Sequence, residues 1–287
     1  MAGSNNATYF RPDFAELQFG YKDPNEFFIS DQIVVPQPVK FENGTYYKDL
    51  DNVWYNRPDT SASRTGLPNI IQRDREAINF NLEPYSSRVE LAELELAQPD
   101  RYGFESRAAM IQSYVELEAR AMKIDTEIRT NEFIEDTGNY LASNLLTLAS
   151  SGDAYIRQWD DLTNSDPLAT IQHARNSLRR VNTMQISYKI LLTLQNHPKV
   201  IAAERGQVSG SKRDKSLDPW VTVDFLKNYF GIDNIIVGMA EQATDSTDPD
   251  GTTRSDIWGN HVWLGVVDPR AGMNPTTPTF AKKMWLS

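Results

Sequence analysis

The side chains able to do chemistry in this chain are few and poorly spaced for it. There are three histidines, His173, His197 and His261, and none stands in an HExxH or comparable metal-ligand spacing. His197 precedes Pro198 at the end of a helical pattern, where an imidazole suits the helix dipole. There is no cysteine, which excludes thiolate nucleophiles, thiolate metal sites and a disulfide framework. GQVSGSK at 206–212 has the composition of a phosphate loop but not the GxxxxGKS/T spacing. DSTDPDG at 245–251 has the acids and glycine of a calcium loop. Registering Gly251 on that loop's invariant glycine, however, places Ile257 where a bidentate glutamate is required. No GxSxG elbow occurs. Carboxylates are abundant, so an acid/base pair stays open, but ELAELE at 90–95 reads better as the solvent face of a strand. No enzyme signature and no cofactor site emerges.

Charge narrows the partners. A net charge of −10 disfavours sequence-independent gripping of nucleic acid, which needs a basic surface to release phosphate counterions. The densest basic run, SKRDK at 211–215, is short and broken by Asp214. No apolar run approaches the ~20 residues that span a bilayer, and the N-terminus lacks the basic start and apolar core of a signal peptide. The hydrophobic content of 40% is ample for a packed core.

The elements that would carry these side chains are unusual in order. Residues 1–40 hold Phe10, Phe14, Phe19, Tyr21, Phe27 and Phe28 among Pro12, Pro24, Pro36 and Pro38. Prolines oppose regular structure, yet so many aromatics do not belong in a plain linker. An extended arm lying on another surface satisfies both facts. Residues 50–75 are turn-rich, with Trp54, Arg57, Arg64, Arg73 and Arg75. Ile78, Phe80 and Leu82 then alternate with asparagines, a half-buried strand by its period of two. A second strand is expected in RVELAELELA, with a phase slip at Ala92 where a bulge would sit. Together, 50–97 read as a long two-stranded ribbon, marginal in water unless it packs on something.

A long helix follows over about 104–133, with Phe104, Ala108, Ile111, Val115 and Met122 as its apolar stripe, widened by Leu117, Ile124 and Ile128. At ~1.5 Å per residue it is a rod of ~45 Å. A short strand is expected at 145–149. Asp166 or Ser165 then caps a helix that opens on Pro167, with Leu168, Ile171, Ala174 and Leu178 on one face. TMQIS reads as a strand, YKILLTLQNH as a helix closed by Pro198, VTVDFLKNYF as a helix stopped by Gly231, and NIIVGMA as a strand. The polar loop ATDSTDPDGTTRSD, with Asp245, Asp248, Asp250 and Arg254, leads into a last strand within IWGNHVWLGVVDP. Residues 166–268 thus alternate helix and strand in layers, giving an α+β chain overall.

This order of parts resembles the major capsid protein of tailed bacteriophages, the Hong Kong 97-like shell fold. WDDLTNSDPLATIQHARNSL resembles the entry to that family's axial domain, NTMQISYKILLTLQNHPKV its strand–helix ending in His-Pro, and FLKNYFGIDNIIVGMA followed by IWGNHVWLGVVDP the strand pair around its axial loop. TPTFAKKMWLS echoes its closing motif. The resemblance runs from about residue 45 onward. It implies an N-terminal arm over 1–40, an E-loop over 41–98, a peripheral domain with its spine helix over 99–165, an axial domain over 166–268, and a return to the peripheral domain over 269–287. It implies an icosahedral head shell around double-stranded DNA, built from hexamers and pentamers of this chain in the host bacterial cytoplasm. The DNA would be contacted non-specifically, with no membrane involved. Arm aromatics and E-loop arginines would then lie between subunits, and 245–254 would project toward a local symmetry axis. Because Met1 lies so close to the arm, a separate scaffolding protein is implied, as is a portal. Some members crosslink subunits through an E-loop lysine; 56–75 offers arginines only, so crosslinking is not expected. Two rivals remain at this stage: an encapsulin-like compartment shell, and a hydrolase using buried carboxylates.

Overall fold

A computed structural model describes residues 28–49, 74–89, 97–98, 106–178, 180–208, 221–244, 253–272 and 279–286. In chain order its elements are a one-turn helix α1 (Ser30–Ile33) and strands β1 (Val34–Val39), β2 (Asn43–Asp49) and β3 (Arg75–Asn81). Helices α2 (Arg107–Glu135) and α3 (Pro167–Leu178) follow, then β4 (Thr183–Ser187), α4 (Tyr188–Asn196), α5 (Pro198–Val208) and α6 (Val223–Phe230). The remainder is β5 (Asn234–Gly238), β6 (Glu241–Ala243), β7 (Arg254–Asp256), β8 (Val262–Gly265) and β9 (Ala281–Leu286). The mixture is α+β. Contacts divide the chain into two units, one comprising residues up to Ser30 with Ser86–Val266, the other Asp31–Tyr85 with Val267–Ser287.

The larger unit is organised by a three-stranded sheet in the order β5-β4-β8. β5 runs parallel to β4, with Ser187 opposite Gly238, and β8 runs antiparallel to it, with Gln185 opposite Trp263. Every residue of β4 is buried, as its central place in the sheet requires. Met184 and Ile186 point to one face, where they pack with Ile171 of α3, Leu191 and Leu194 of α4, and Leu226 and Phe230 of α6. The helices start and stop where capping chemistry dictates. Asp166 Oδ1 accepts from Ala169 N at 3.1 Å, which makes Asp166 the cap of α3. Thr222 Oγ1 accepts from Phe225 N at the start of α6, and Gly231 ends that helix at φ 64°.

One expectation in this unit is extended and one corrected. α4 ends before Pro198, with His197 extended after it, but Pro198 then opens a further helix, α5, because proline is well suited to the first helical position, where no amide donor is needed. Residues 145–149 form no strand, and only Ala149 makes an isolated bridge, to Arg157. Without a neighbouring strand a five-residue apolar run has no ladder to join.

The long helix is continuous over 29 residues, but its buried face is not the one its apolar residues suggest. Met110, Ala119, Glu127, Thr130, Asn131 and Ile134 are buried, while Ala108 and Met122 are exposed and Leu117 is 57% exposed. Side chains that match the elements beside them are covered, and hydrophobicity alone does not decide which face that is.

In the smaller unit β1 pairs in parallel with β9, Val34 opposite Ala281 through Val39 opposite Leu286. Pro36 and Pro38 sit two apart, so their missing N–H groups fall on the same side, as an edge strand tolerates. The first forty residues are therefore not irregular throughout: Ile29, Ile33 and Val35 are buried. β2 pairs antiparallel with β3, Asn43 opposite Asn81 through Asp49 opposite Arg75. The alternation of Ile78 and Phe80 with asparagines holds, and Tyr46 meets Phe80 across the pair at 6.5 Å between ring centroids. β2 is not expected from the sequence as a strand beside it; of the expected second strand RVELAELELA, residues 88–89 are irregular and 90–96 lie outside the described residues.

Candidate functional site

One arrangement among the described residues has the outline of a nucleophile and its base. Ser165 Oγ lies 3.0 Å from His197 Nε2. The backbone N–H of Lys199 donates to His197 Nδ1 at 3.3 Å, so the ring proton belongs on Nε2 and is donated to Ser165. The serine hydroxyl in turn donates to the Asp161 carbonyl at 2.7 Å. A base must accept the nucleophile's proton; here the proton relay runs the other way. Both side chains are fully buried, and burial, followed by the charge of Lys199, pushes the His197 pKa down. The histidine is thus a neutral peg joining α4 and α5 to the turn before α3, not a charge on the helix dipole. His173 is exposed and stacks on Tyr155 at 4.7 Å. His261 Nδ1 comes within 2.9 Å of Glu135 Oε1, without the alignment of a hydrogen bond; burial lowers its pKa and Glu135 opposes that shift. Among the described residues no group of three potential metal ligands occurs, and no helix is long and apolar enough to cross a membrane.

The unusual chemistry lies on the second face of the sheet. Thr183, Gln185 and Ser187 point there from β4, all buried. Two glycines make room for two indoles. A Cβ at Gly238 would collide with the Trp258 ring, and one at Gly265 with the Trp263 ring, so the paired tryptophans of IWGNHVWLGVVDP lie flat against small residues. Trp258 Nε1 donates to Glu127 Oε2 of α2 at 2.9 Å. The other carboxylate oxygen, Oε1, accepts from the backbone N–H of Ser30 at 2.6 Å. Glu127 is fully buried, and desolvation raises its pKa against the lowering effect of these bonds. Nearby, Tyr140 donates to the Ile134 carbonyl at 2.9 Å and burial pushes its pKa up to about 12. Gln185 has neither amide atom paired, nor has Asn131 its Oδ1, among the described residues. Nothing local in the sequence marks Glu127, which sits in a helix among several other glutamates; its role depends on two distant segments.

Of the residues singled out from sequence, Phe10, Phe14, Phe19, Tyr21, Phe27, Trp54, Arg57, Arg64, Arg73, Asp245, Asp248 and Asp250 lie outside the described residues. Phe28 is half-buried, its ring 5.7 Å from Lys123 Nζ of α2. Arg75 begins β3, opposite Asp49. Arg254 begins β7, which pairs with β6, and lies 3.8 Å from Glu241. The acidic loop is therefore carried on an antiparallel β6-β7 hairpin. Sequence reasoning missed the apolar side chains left outside: Leu117, Met122 and Phe133 on α2, Leu141 just after it, and Tyr188, Leu192 and Met239 at the carboxyl end of the β4-β5 pair. Tyr188 and Leu192 share one face of α4 at a spacing of four.

No protein-family model matches the chain. The chain is similar to the "Major capsid protein" of Burkholderia phage BcepMu, with 27% identity over 272 residues, covering 93% of this chain and 79% of the relative. Its fold is that of a phage-related protein from Bordetella bronchiseptica, with a TM-score of 0.61 at 20% identity, over 96% of this chain and 83% of the other. The resemblance to a phage major capsid protein read from the sequence is borne out by this relative.

Proposed function

We propose that this chain is a phage major capsid protein, copies of which assemble as hexamers and pentamers into the icosahedral head shell that encloses double-stranded DNA. The observation that carries the reading is the similarity to a phage major capsid protein over 93% of this chain and 79% of that relative. Two features support it. The 29-residue helix leaves Leu117, Met122 and Phe133 exposed, and the sheet end leaves Tyr188, Leu192 and Met239 exposed, as suits surfaces that neighbouring copies cover. The net charge of −10 suits containment of DNA more than attachment to it.

On this reading the fold is the Hong Kong 97-like shell fold and the role is structural, with no catalysis. Residues 1–40 form the arm, 41–98 the E-loop, 99–165 with 269–287 the peripheral domain, and 166–268 the axial domain. The arm aromatics Phe10, Phe14, Phe19, Tyr21, Phe27 and Phe28 and the E-loop residues Trp54, Arg57, Arg64, Arg73 and Arg75 lie between subunits. Asp245, Asp248, Asp250 and Arg254 sit at the capsomer axis. A scaffolding protein and a portal act in assembly within the host, and the product is the virion head.

The test is expression of the chain alone and with the products of its neighbouring head genes, followed by sedimentation and electron microscopy. Capsomers or closed shells are expected. Removal of residues 1–27, which leaves the buried Ile29, Ile33 and Val35 in place, is expected to give a folded subunit without stable particles. A protein that stays monomeric in every combination would overturn the reading.

A further inference from the structure

Glu127 joins three segments far apart in the chain: α2, which carries it, Ser30 in the first turn of α1, and Trp258 in the loop between β7 and β8. The Ser30 amide is among the first N–H groups of a helix, which have no partner within the helix itself. The indole N–H of Trp258 faces away from water, its ring being fully buried. One carboxylate serves both donors, one on each oxygen. We propose that Glu127 is the pin of a conformational joint, and that Ser30 and Trp258 leave α2 together when the carboxylate takes up water.

The chemistry around the pin makes it a joint and not a permanent clamp. From the 28–30 segment Glu127 meets the Ile29 and Ser30 amides and the Ser30 hydroxyl, and from the 257–261 loop it meets the Trp258 indole; none of these is charged. On its own helix the nearest cation one turn away is Lys123, whose ammonium lies over the Phe28 ring, and one turn on stands the neutral Asn131. The next ionisable pair along that face is Glu135 with His261. Among the described residues no buried cation neutralises the carboxylate, so its ionised form bears a desolvation cost that these hydrogen bonds only partly offset. The Trp258 ring lies against Gly238, opposite Ser187 of β4, and two residues along β4 the Gln185 amide has no partner among the described residues. Burial raises the carboxyl pKa above 4.5, which fixes the sign. The closed joint binds the proton more tightly than an open, hydrated one would. Acid therefore holds the joint closed, and rising pH favours opening.

Hydrogen exchange on the full chain tests this, with rates corrected for the intrinsic effect of pH. In the wild type, protection of the Ser30 amide and the Trp258 indole N–H is expected to fall in parallel as pH rises above 4.5. Glu127→Gln removes the titrating group and is expected to flatten that dependence at both sites. Trp258→Phe keeps the ring's bulk but removes one donor, and should lower protection at Ser30 about tenfold, the scale of a hydrogen bond to a charged group. Should Glu127→Gln fail to fold, judged by loss of helical circular dichroism, Trp258→Phe decides alone. Ser30 protection within about twofold of wild type in Trp258→Phe, or an unchanged pH profile in a folded Glu127→Gln, would overturn the proposal.

Discussion

Met184 and Ile186 look from β4 into helices α3, α4 and α6, and Thr183, Gln185 and Ser187 look from the same strand toward the face that holds Trp258 and Trp263. All five are buried, yet the two faces are closed by different means. On the first, aliphatic and aromatic side chains interlock and helix ends are individually capped. The face is stabilised by area removed from water, and its stability depends on shape. On the second, glycines admit two indoles, a carboxylate bridges two segments, and the Gln185 amide has no partner among the described residues. Polar burial adds little net stability and is costly when incomplete. The first face thus holds the unit together, while the second determines how α2, the Trp258 loop and the Ser30 segment are arranged.

The largest expected effect is on the apolar face. Phe230→Ala should cost about 3–5 kcal/mol of unfolding free energy, as for a large core side chain cut to a methyl. Denaturant titration followed by circular dichroism measures it, and a loss below about 1 kcal/mol would contradict the division of labour drawn above. Next comes Gly238→Ala, whose methyl collides with the Trp258 ring. Overpacking of this kind costs about 1–3 kcal/mol, and the displaced indole should also redden the tryptophan fluorescence. Gln185→Met carries the opposite sign: replacing an unpaired buried amide by an apolar chain of similar length should stabilise by about 1 kcal/mol. A loss there would mean that internal water already satisfies the amide.

The smallest effect is a slope. His197 has its pKa depressed from 6.5, so its contribution is complete above that value and is lost as pH falls from 6.5 toward the folded value. Glu127, raised from 4.5, acts in reverse, with stability lost as pH rises through its folded value. His197→Asn should therefore flatten the acid limb of a stability–pH curve below 6.5, leaving the residual slope of His261, which is also depressed. An unchanged acid limb would show that the imidazole protonates as readily in the fold as outside it.

What the sequence determined by itself is what depends on near neighbours. Asp166 and Pro167 start a helix, Gly231 ends one, TMQIS is a strand, and the Ile78–Phe80 alternation makes another, because capping and side-chain periodicity act over a few residues. The length of α2 was legible for the same reason. The tertiary structure decided what depends on distant partners: that β3 pairs with β2, that Pro198 begins a helix, and which side of α2 is covered. It also decided that Glu127 is buried, since a glutamate becomes interior only when donors as remote as Ser30 and Trp258 converge on it. Local chemistry fixes the conformation of a segment, whereas burial is a property of the surfaces that meet, and those are brought together only by the folded chain.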